Sequence, residues 1–285
     1  MSESSEFRVD QCWKAQSGEA WVAFESALDA QLGPLGRALL DRLAPRTGER
    51  ALDIGCGSGQ TLLELAERVG ERGQVVGVDI SDPMVARARE RISAAGLRHV
   101  EIVLGDAQSQ RFDEPFDLEF SRFGVMFFQD PVLAFRNLLQ ALKPGGRLGF
   151  VCFQASEKNE WAEVPLGAVM AAIGSTELPQ MFQPDRPGPF FFARQERIRD
   201  VLSQAGYGNI VIEPEERKLH FGGASTLEQA VDYATKIGPA ARAMADADPA
   251  FVPACRAALA EALAPLAGPD GVWLRSAHYF VSARR

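Results

Sequence analysis

The sequence is poor in cysteine and histidine, and the few of each are scattered. Its 285 residues include four cysteines and three histidines. None of the cysteines belongs to a C-x-x-C pair, so a disulfide or zinc framework is disfavoured. We therefore expect reduced thiols and a cytoplasmic protein. The cysteines are Cys12, Cys56, Cys152 and Cys255.

The sequence also lacks a long apolar run and an excess of positive charge. No stretch approaches the length that spans a bilayer, and residues 1–10 are polar and acidic rather than leader-like. The formal net charge is -8 at pH 7, and no cluster of Lys and Arg with interleaved aromatics occurs. We therefore expect no membrane span and no nucleic-acid partner, because nucleic acids are bound by basic surfaces.

Apolar residues are plentiful instead, at 46% of the chain. A chain of this length and composition can bury one large core together with appended segments. The composition excludes the disordered and fibrous classes, and it predicts either one domain with a cap or two small domains.

A glycine-rich segment between two apolar runs is the most informative feature. Residues 52–59 read Leu-Asp-Ile-Gly-Cys-Gly-Ser-Gly, and a helix-like run then leads to Val-Val-Gly-Val-Asp at 75–79. Glycine lets the backbone approach a ligand closely, and the following helix N-terminus offers unpaired N–H groups. Asp79 lies 20 positions after Gly59 (79 minus 59), where a carboxylate suits both ribose hydroxyls. The segment predicts a βαβ unit that binds a nucleotide-containing cofactor.

Two residues distinguish between the cofactors that such a unit binds. The dinucleotide fingerprint G-x-G-x-x-G requires a glycine where this chain has Gln60. Asp53 would repel the pyrophosphate of NAD, whereas its charge complements a ligand that carries an ammonium and a sulfonium. These residues favour S-adenosylmethionine over NAD.

Strand-like and helix-like segments continue to alternate after the first unit. The pattern predicts further strands at 100–104, 116–121 and 147–153, with helices that begin at Asp82 and Asp130. Such alternation requires a parallel sheet with right-handed crossovers, and ligands bind at the carboxyl ends of its strands. Later segments predict a sixth strand at 208–221 and a seventh at 271–283.

Four segments in a fixed order give the chain a specific resemblance. Residues 51–153 resemble a class I S-adenosylmethionine-dependent methyltransferase, of the small-molecule group similar to the ubiquinone and menaquinone-biosynthesis methyltransferases. The resemblance implies a Rossmann-like, seven-stranded, mostly parallel sheet whose last strand is antiparallel, with helices on both faces. The matching segments are residues 52–59, Gly-Val-Asp-Ile-Ser at 77–81, Gly-Asp-Ala at 105–107 and Leu-Lys-Pro-Gly-Gly-Arg-Leu at 142–148.

The remaining segments predict additions to this core. Residues 1–48 read as two helical pieces that Gly33-Pro34 separates, and the resemblance implies that they form a lid over the cofactor. The predicted division is an N-terminal helical lid at 1–48, a cofactor-binding core at 49–153, a substrate-cap insertion at 154–195, and a C-terminal part of the core at 196–285 with a helical insertion near 226–266.

The resemblance implies a cofactor site around the glycine loop. Asp79 is expected to bind the ribose, and Asp53 the methionine ammonium directly or through water. Asp106 is expected to bind the adenine amino group beside Ala107, although an aspartate at a strand end can simply cap a helix. Ile80 is expected to pack on the adenine. The complete predicted set is Trp21, Asp53, Gly55, Cys56, Gly57, Gln60, Asp79, Ile80, Asp106, Ala107, Ser121 and Phe123.

The predicted acceptor site draws on aromatic residues outside the core. Trp13, Trp21 and Phe191 are expected to line or support it, and their alternative role is to fill a core. Arg122 either binds an anionic group of the substrate or forms a surface salt bridge. It stands where catechol-type methyltransferases hold a magnesium-binding carboxylate, so we expect no metal ion.

The sequence does not identify a general base. His99, His220 and His278 are each compatible with a structural role, and only His220 is retained as a catalytic candidate. Methyl transfer from a sulfonium depends mainly on positioning, so few reacting side chains are needed. We expect transfer of a methyl group to O, N, C or S of a small, partly apolar molecule. The alternative is a non-catalytic S-adenosylmethionine-binding or regulatory protein.

Overall fold

A central sheet carries the apolar runs that the sequence assigns to strands. The computed structural model describes residues 13–14 and 16–285. Cys12, which we expect to be a reduced thiol, and residues 1–10, which we expect not to form a leader, lie outside the described residues. The strands are β1 (Arg50–Ile54), β2 (Gln74–Asp79), β3 (Val100–Leu104), β4 (Phe116–Arg122), β5 (Leu142–Phe153), β6 (Gly208–His220), β7 (Ala267–Gly268) and β8 (Gly271–Arg284).

The strand order confirms the expected Rossmann-like sheet. The strands lie in the order β3-β2-β1-β4-β5-β8-β6, and β1 to β5 pair in parallel. The last strand, β8, runs antiparallel to both β5 and β6. Seven strands were expected, and the structure adds the two-residue β7, which pairs with the start of β8. So short a strand has no periodicity by which the sequence could reveal it.

Helices flank this sheet and form most of the additions to it. Asp130 caps the helix before β5 as expected, since its Oδ1 accepts a hydrogen bond of 2.9 Å from the Leu133 N–H. The helices are α1 (Gln16–Ala23), α2 (Glu25–Leu43), α3 (Gln60–Val69), α4 (Asp82–Ala94), α5 (Pro131–Ala141), α6 (Glu160–Ile173), α7 (Gln195–Ala205), α8 (Leu227–Ala234), α9 (Pro239–Ala245) and α10 (Val252–Leu263).

The expected interruption at Gly33-Pro34 is wrong. Helix α2 continues through Pro34, and the break between α1 and α2 lies at Phe24. A proline inside a helix costs about 3 kcal/mol, because it removes a hydrogen bond and crowds the preceding turn. Leu32 and Leu35, on either side, are 5% and 0% exposed. Burial of this leucine stripe offsets the cost, and local sequence cannot show that.

Two separate stretches of the chain build one helical layer beyond the sheet. Helix α6 contacts both α9 and α10, and α8 contacts α10. The first of these helices comes from the 154–195 stretch, and the others come from 226–266. Both predicted insertions therefore pack against each other.

Candidate functional site

A cleft lies at the carboxyl ends of β1, β2, β3 and β4, where the sequence predicts the cofactor. It is lined by the loops that follow these strands and by aromatic residues of the N-terminal part. Open α/β sheets bind ligands at this edge, because the loops of neighbouring parallel strands meet there. The predicted site residues that line the cleft are Trp13, Trp21, Gly55, Gly57, Asp79, Ile80, Asp106, Ala107, Arg122 and Phe123.

The glycine loop brings the backbone to the wall of the cleft. Gly55 has φ +71°, and a Cβ there would lie 2.9 Å from the Gly124 Cα, so no larger residue fits without a backbone shift. Gly57 has φ +54°, and a Cβ there would meet only the Met84 Sδ, at 3.8 Å. The surface of Gly57 is therefore open to a ligand.

Asp79 is held in place by backbone amides around this loop. Its Oδ2 accepts a hydrogen bond of 2.8 Å from Gly57 N–H, and its Oδ1 accepts one of 2.9 Å from Ser81 N–H. Burial raises the pKa of Asp79, while these amides and that of Ile80 act to lower it. Each carboxylate oxygen keeps a further lone pair, so the side chain can still accept hydrogen bonds from the cleft.

Asp106 lies in a turn after β3 and does not cap an α-helix. Its Oδ1 accepts a hydrogen bond of 2.9 Å from Gln108 N–H, and the Gln108 Nε2 donates to its Oδ2 at 3.1 Å. The Asn137 amide donates to the carbonyl oxygens of Ala107 and Gln110, at 3.1 and 2.9 Å. These bonds hold the turn against α5 and leave Asp106 at the cleft surface.

Asp53 lies behind the cleft rather than on its surface. Its side chain is fully buried; Oδ2 accepts a hydrogen bond from the Thr61 hydroxyl, and Oδ1 has no partner among the described residues. Burial raises the pKa of Asp53 to about 7. The Asp53 carboxylate therefore does not reach the cleft surface, where a direct contact with the cofactor was expected. The carboxylate can act on the cleft through its charge.

Arg122 is a partly buried cation on the cleft wall, and the surface salt bridge that was its alternative role is not formed among the described residues. Its Nη1 donates to the Gln60 Oε1, and the Gln60 Nε2 donates to the Glu64 Oε1 at 3.1 Å. No carboxylate of the described residues lies within ion-pair distance of its guanidinium. Burial lowers the pKa of Arg122, and the field of Asp29 and Asp53 opposes that shift.

Three other predicted cofactor residues point away from the cleft. The Cys56 side chain faces the sheet, where its Sγ would lie 2.9 Å from a Cβ at Gly77, and only its backbone belongs to the loop. Ser121 is buried, and its hydroxyl donates to the Ile54 carbonyl oxygen at 2.7 Å. Gln60 bridges Arg122 to α3 instead of reaching the cleft. A motif locates the backbone of these residues, but packing decides where their side chains point.

Phe191 and His220 are likewise not at the site, which corrects both expectations. Phe191 lines neither cavity, and the Arg197 guanidinium lies 4.8 Å from its ring centroid. The neighbouring Phe190 packs on Trp161 instead. The His220 ring stacks on Trp273 at 4.8 Å, and its Nε2 lies 2.9 Å from the Ala224 carbonyl oxygen.

The segment after β4 contributes Phe123, which the sequence analysis predicted, and Phe127 and Phe128, which it missed. Phe123 has φ +62°, a conformation that is strained for a bulky residue and typical of functional sites. This turn places its ring on that of Phe153, at 4.1 Å and 11° between planes. Phe127 follows on the cleft wall, and Trp13 packs on it at 5.1 Å. The only available signal was the position of this segment at a strand end.

A second, larger cavity, here called the acceptor chamber, adjoins the cofactor cleft. It encloses about 710 Å³ between α1, α2 and the helical layer of α6, α8, α9 and α10. Phe153, Trp161, Phe182 and Tyr233 are among the aromatic residues of its wall. The two cavities share Trp13, Trp21, Phe123 and Phe127.

Two other kinds of feature are absent from the described residues. Within residues 13–14 and 16–285, no group of three His, Cys, Asp or Glu side chains is placed to hold a metal ion. No helix in the same part of the chain is both long and apolar enough to cross a membrane.

Comparison with known proteins decides the family. A family model described as a methyltransferase domain matches residues 51–146. Nocamycin O-methyltransferase of Saccharothrix syringae is 34% identical over 204 residues, which cover 68% of this chain and 71% of that protein. The chain belongs to the S-adenosylmethionine-dependent methyltransferases. The resemblance drawn from the four segments is therefore confirmed.

This methyltransferase is also similar to aklanonic acid methyltransferase DauC of Streptomyces sp. (strain C5). The two are 39% identical over 147 residues, which cover 50% of this chain and 66% of DauC, slightly less than two thirds of its length. Phosphoethanolamine N-methyltransferase 2 of Haemonchus contortus, solved with S-adenosylmethionine, shares the fold. Its TM-score is 0.61 at 21% identity, over 100% of this chain and 61% of that one.

Proposed function

We propose that this methyltransferase transfers a methyl group from S-adenosylmethionine to an oxygen of a small, largely apolar molecule. One observation carries the proposal: the acceptor chamber opens onto the cofactor cleft through four shared aromatic residues. An apolar molecule in the chamber would thus place one end beside the cofactor. The Saccharothrix syringae relative is named as an O-methyltransferase, and this favours oxygen among O, N, C and S.

The residues of the cleft suit this cofactor. In our proposal Asp79 accepts hydrogen bonds from the ribose hydroxyls, and Asp106 binds the adenine amino group beside Ala107. Ile80 supplies an apolar surface for the base, and the open face of Gly57 lets the ligand approach the loop. When bound, the sulfonium supplies an electrophilic methyl group.

Charged residues behind and beside the loop complement the remaining part of the cofactor. In its ionised form Asp53 provides negative charge behind the cleft, and a bound ammonium and sulfonium would favour that form. Arg122 offers a guanidinium that no carboxylate of the described residues engages, and it would bind an anionic group in the cleft. Together they orient a ligand that carries both signs of charge.

Catalysis in this proposal comes from positioning and exclusion of water. Trp13, Trp21, Phe123 and Phe127 form an apolar wall where the two cavities meet. Holding two reactants in attack geometry is worth roughly 7 to 11 kcal/mol, so a reacting side chain is not required. No histidine of the chain lines either cavity.

Transfer of label to an acceptor tests the proposal directly. The purified protein is incubated with cell extract and deuteromethyl-labelled S-adenosylmethionine, and the products are identified by mass spectrometry. We expect the label in small apolar molecules, bonded to oxygen. Binding of the cofactor without label in any product would contradict the proposal and support the non-catalytic alternative.

Replacement of Trp21 by alanine should impair transfer much more than folding. Trp21 belongs to the wall between the two cavities, so its loss misplaces the acceptor and admits water. We expect kcat/KM for the labelled acceptor to fall by about 10- to 100-fold, since small misplacements are costly. Phe191→Ala is the matched control, because Phe191 is an aromatic residue that lines neither cavity. Equal kinetics for the two variants would show that Trp21 does not serve the reaction.

A further inference from the structure

The acceptor chamber carries positive charge in a protein that is acidic as a whole. Its lining includes one acidic side chain and three basic ones, and because two of the basic ones pair with acids, one positive charge (3 minus 2) is left uncompensated in a chain whose formal net charge is -8. Such a contrast of sign favours an anionic ligand. The charged lining residues are Asp232, Lys236, Arg242 and Arg256.

Of these basic side chains, Lys236 is the one left available to a ligand. Arg256 pairs with Asp232 at 2.6 Å, and Arg242 pairs with Asp246 at 3.0 Å. The Lys236 ammonium has no ion pair with any residue that the structure describes. Lys236 is exposed and follows the end of α8, so it lies at the mouth of the chamber.

Tyr233 supplies a second polar group, deeper in the chamber. Its side chain is only 3% exposed, and its ring packs on Phe221 and Phe24, with centroids 5.1 and 6.0 Å away. Gly222 makes room for it, since a Cβ there would lie 2.4 Å from the ring. Its position is therefore set by its neighbours.

The Tyr233 hydroxyl has no hydrogen-bond partner among the described residues. Its oxygen keeps some accessible surface, so a ligand in the chamber that Tyr233 lines can reach it. Burial raises the pKa of the phenol, which therefore stays protonated and can donate. A polar group placed this way in an apolar wall typically orients a ligand.

We propose that the acceptor is an apolar molecule with an anionic group. The Tyr233 hydroxyl hydrogen-bonds to a polar atom of its apolar body, and the Lys236 ammonium pairs with the anionic group at the mouth. This inference rests on the proposed function, because it names the acceptor class of the same site. It also assigns Tyr233 and Lys236 as specificity-determining residues.

Two fluorescent probes that differ only in a sulfonate test the inference. These are 8-anilinonaphthalene-1-sulfonate and N-phenyl-1-naphthylamine, titrated with S-adenosylhomocysteine at saturation so that the cofactor cleft is blocked. We expect the anionic probe to bind about five-fold more tightly, as for one partly exposed ion pair. Lys236→Gln should abolish that preference and leave binding of the neutral probe unchanged. Lys218→Gln, which removes an exposed charge outside the chamber, should retain the preference.

Tyr233→Phe should have a different signature. Both probes should bind more weakly, and by the same factor of about five, because one hydrogen bond is lost without a change of charge. Equal affinity of the two probes for the unaltered protein, or equal effects of the two lysine changes, would overturn the anionic acceptor. Calorimetry with S-adenosylhomocysteine distinguishes failure of this inference from failure of the proposed function. The proposed function fails if S-adenosylhomocysteine does not bind. If it binds while the two probes bind equally, only the anionic acceptor is overturned.

Discussion

Replacement of Asp79 by alanine is expected to weaken binding of S-adenosylmethionine by about 100-fold or more. In our proposal the change removes the acceptor for two ribose hydroxyls, and hydrogen bonds to a charged group contribute on the order of 1.5 to 3 kcal/mol each. It also releases the amides of Gly57 and Ser81, so the glycine loop loses its anchor. Titration calorimetry on the folded variant measures the effect.

The control for this experiment lies three residues further along the chain. Asp82 is an exposed acid in the first turn of α4, and it does not line the cleft. Asp82→Ala should bind the cofactor as the unaltered protein does. An unchanged dissociation constant for Asp79→Ala would disprove the assignment of Asp79 to the ribose.

The second large effect is expected at Glu119, a buried acid that lines neither cavity. Glu119 lies in β4 with no exposed surface; the Tyr207 hydroxyl donates to its Oε2 at 2.9 Å. Its Oε1 has no partner among the described residues. Burial raises the pKa of Glu119 to about 8, from 4.5.

A raised carboxyl pKa makes stability fall as the pH rises. The folded protein retains the Glu119 proton up to a pH of about 8, whereas the unfolded chain releases it near 4.5. The folded state therefore binds more protons within this window, and the stabilisation that is complete below the window is lost as pH rises through it. Glu119→Gln removes this dependence while retaining an acceptor for Tyr207.

The measurement is the free energy of unfolding in denaturant as a function of pH. We expect the variant to gain stability relative to the unaltered protein by about 4 kcal/mol between the acid and alkaline ends of the window. Glu114→Gln, a change at a side chain that is 72% exposed, is the control and should give a nearly constant difference. Parallel curves for Glu119→Gln and the unaltered protein would contradict the prediction.

The cofactor cleft could be predicted from sequence because its residues belong to short, ordered motifs. Asp79 and Asp106 each follow a strand, and the carboxyl ends of parallel strands meet at one edge of a sheet. The positive φ of Gly55 and Gly57 follows from the tight turn that the motif requires. Side-chain direction was less predictable, and Asp53 lies beneath the cleft wall because it is buried against Thr61.

The acceptor chamber could not be predicted, since its residues come from distant parts of the chain. The chamber brings together Trp21, Phe153, Trp161 and Tyr233. Trp21 and Tyr233 are 212 positions apart in the sequence (233 minus 21). Trp161 comes from the first helical insertion and Tyr233 from the second. Their meeting depends on how the two insertions pack against each other.

The sequence by itself determined the order of strands and helices, the glycine loop and the acids at the strand ends, because local periodicity and turn chemistry specify these. The tertiary structure decided which aromatic residues face a ligand. Phe190, Phe191 and Phe192 are identical neighbours, yet Phe190 packs on Trp161, Phe192 lies in the core beside Phe150, and Phe191 lies under Arg197. The three side chains are chemically the same and none of them lines the chamber, because the surfaces that surround each ring decide which contact it makes.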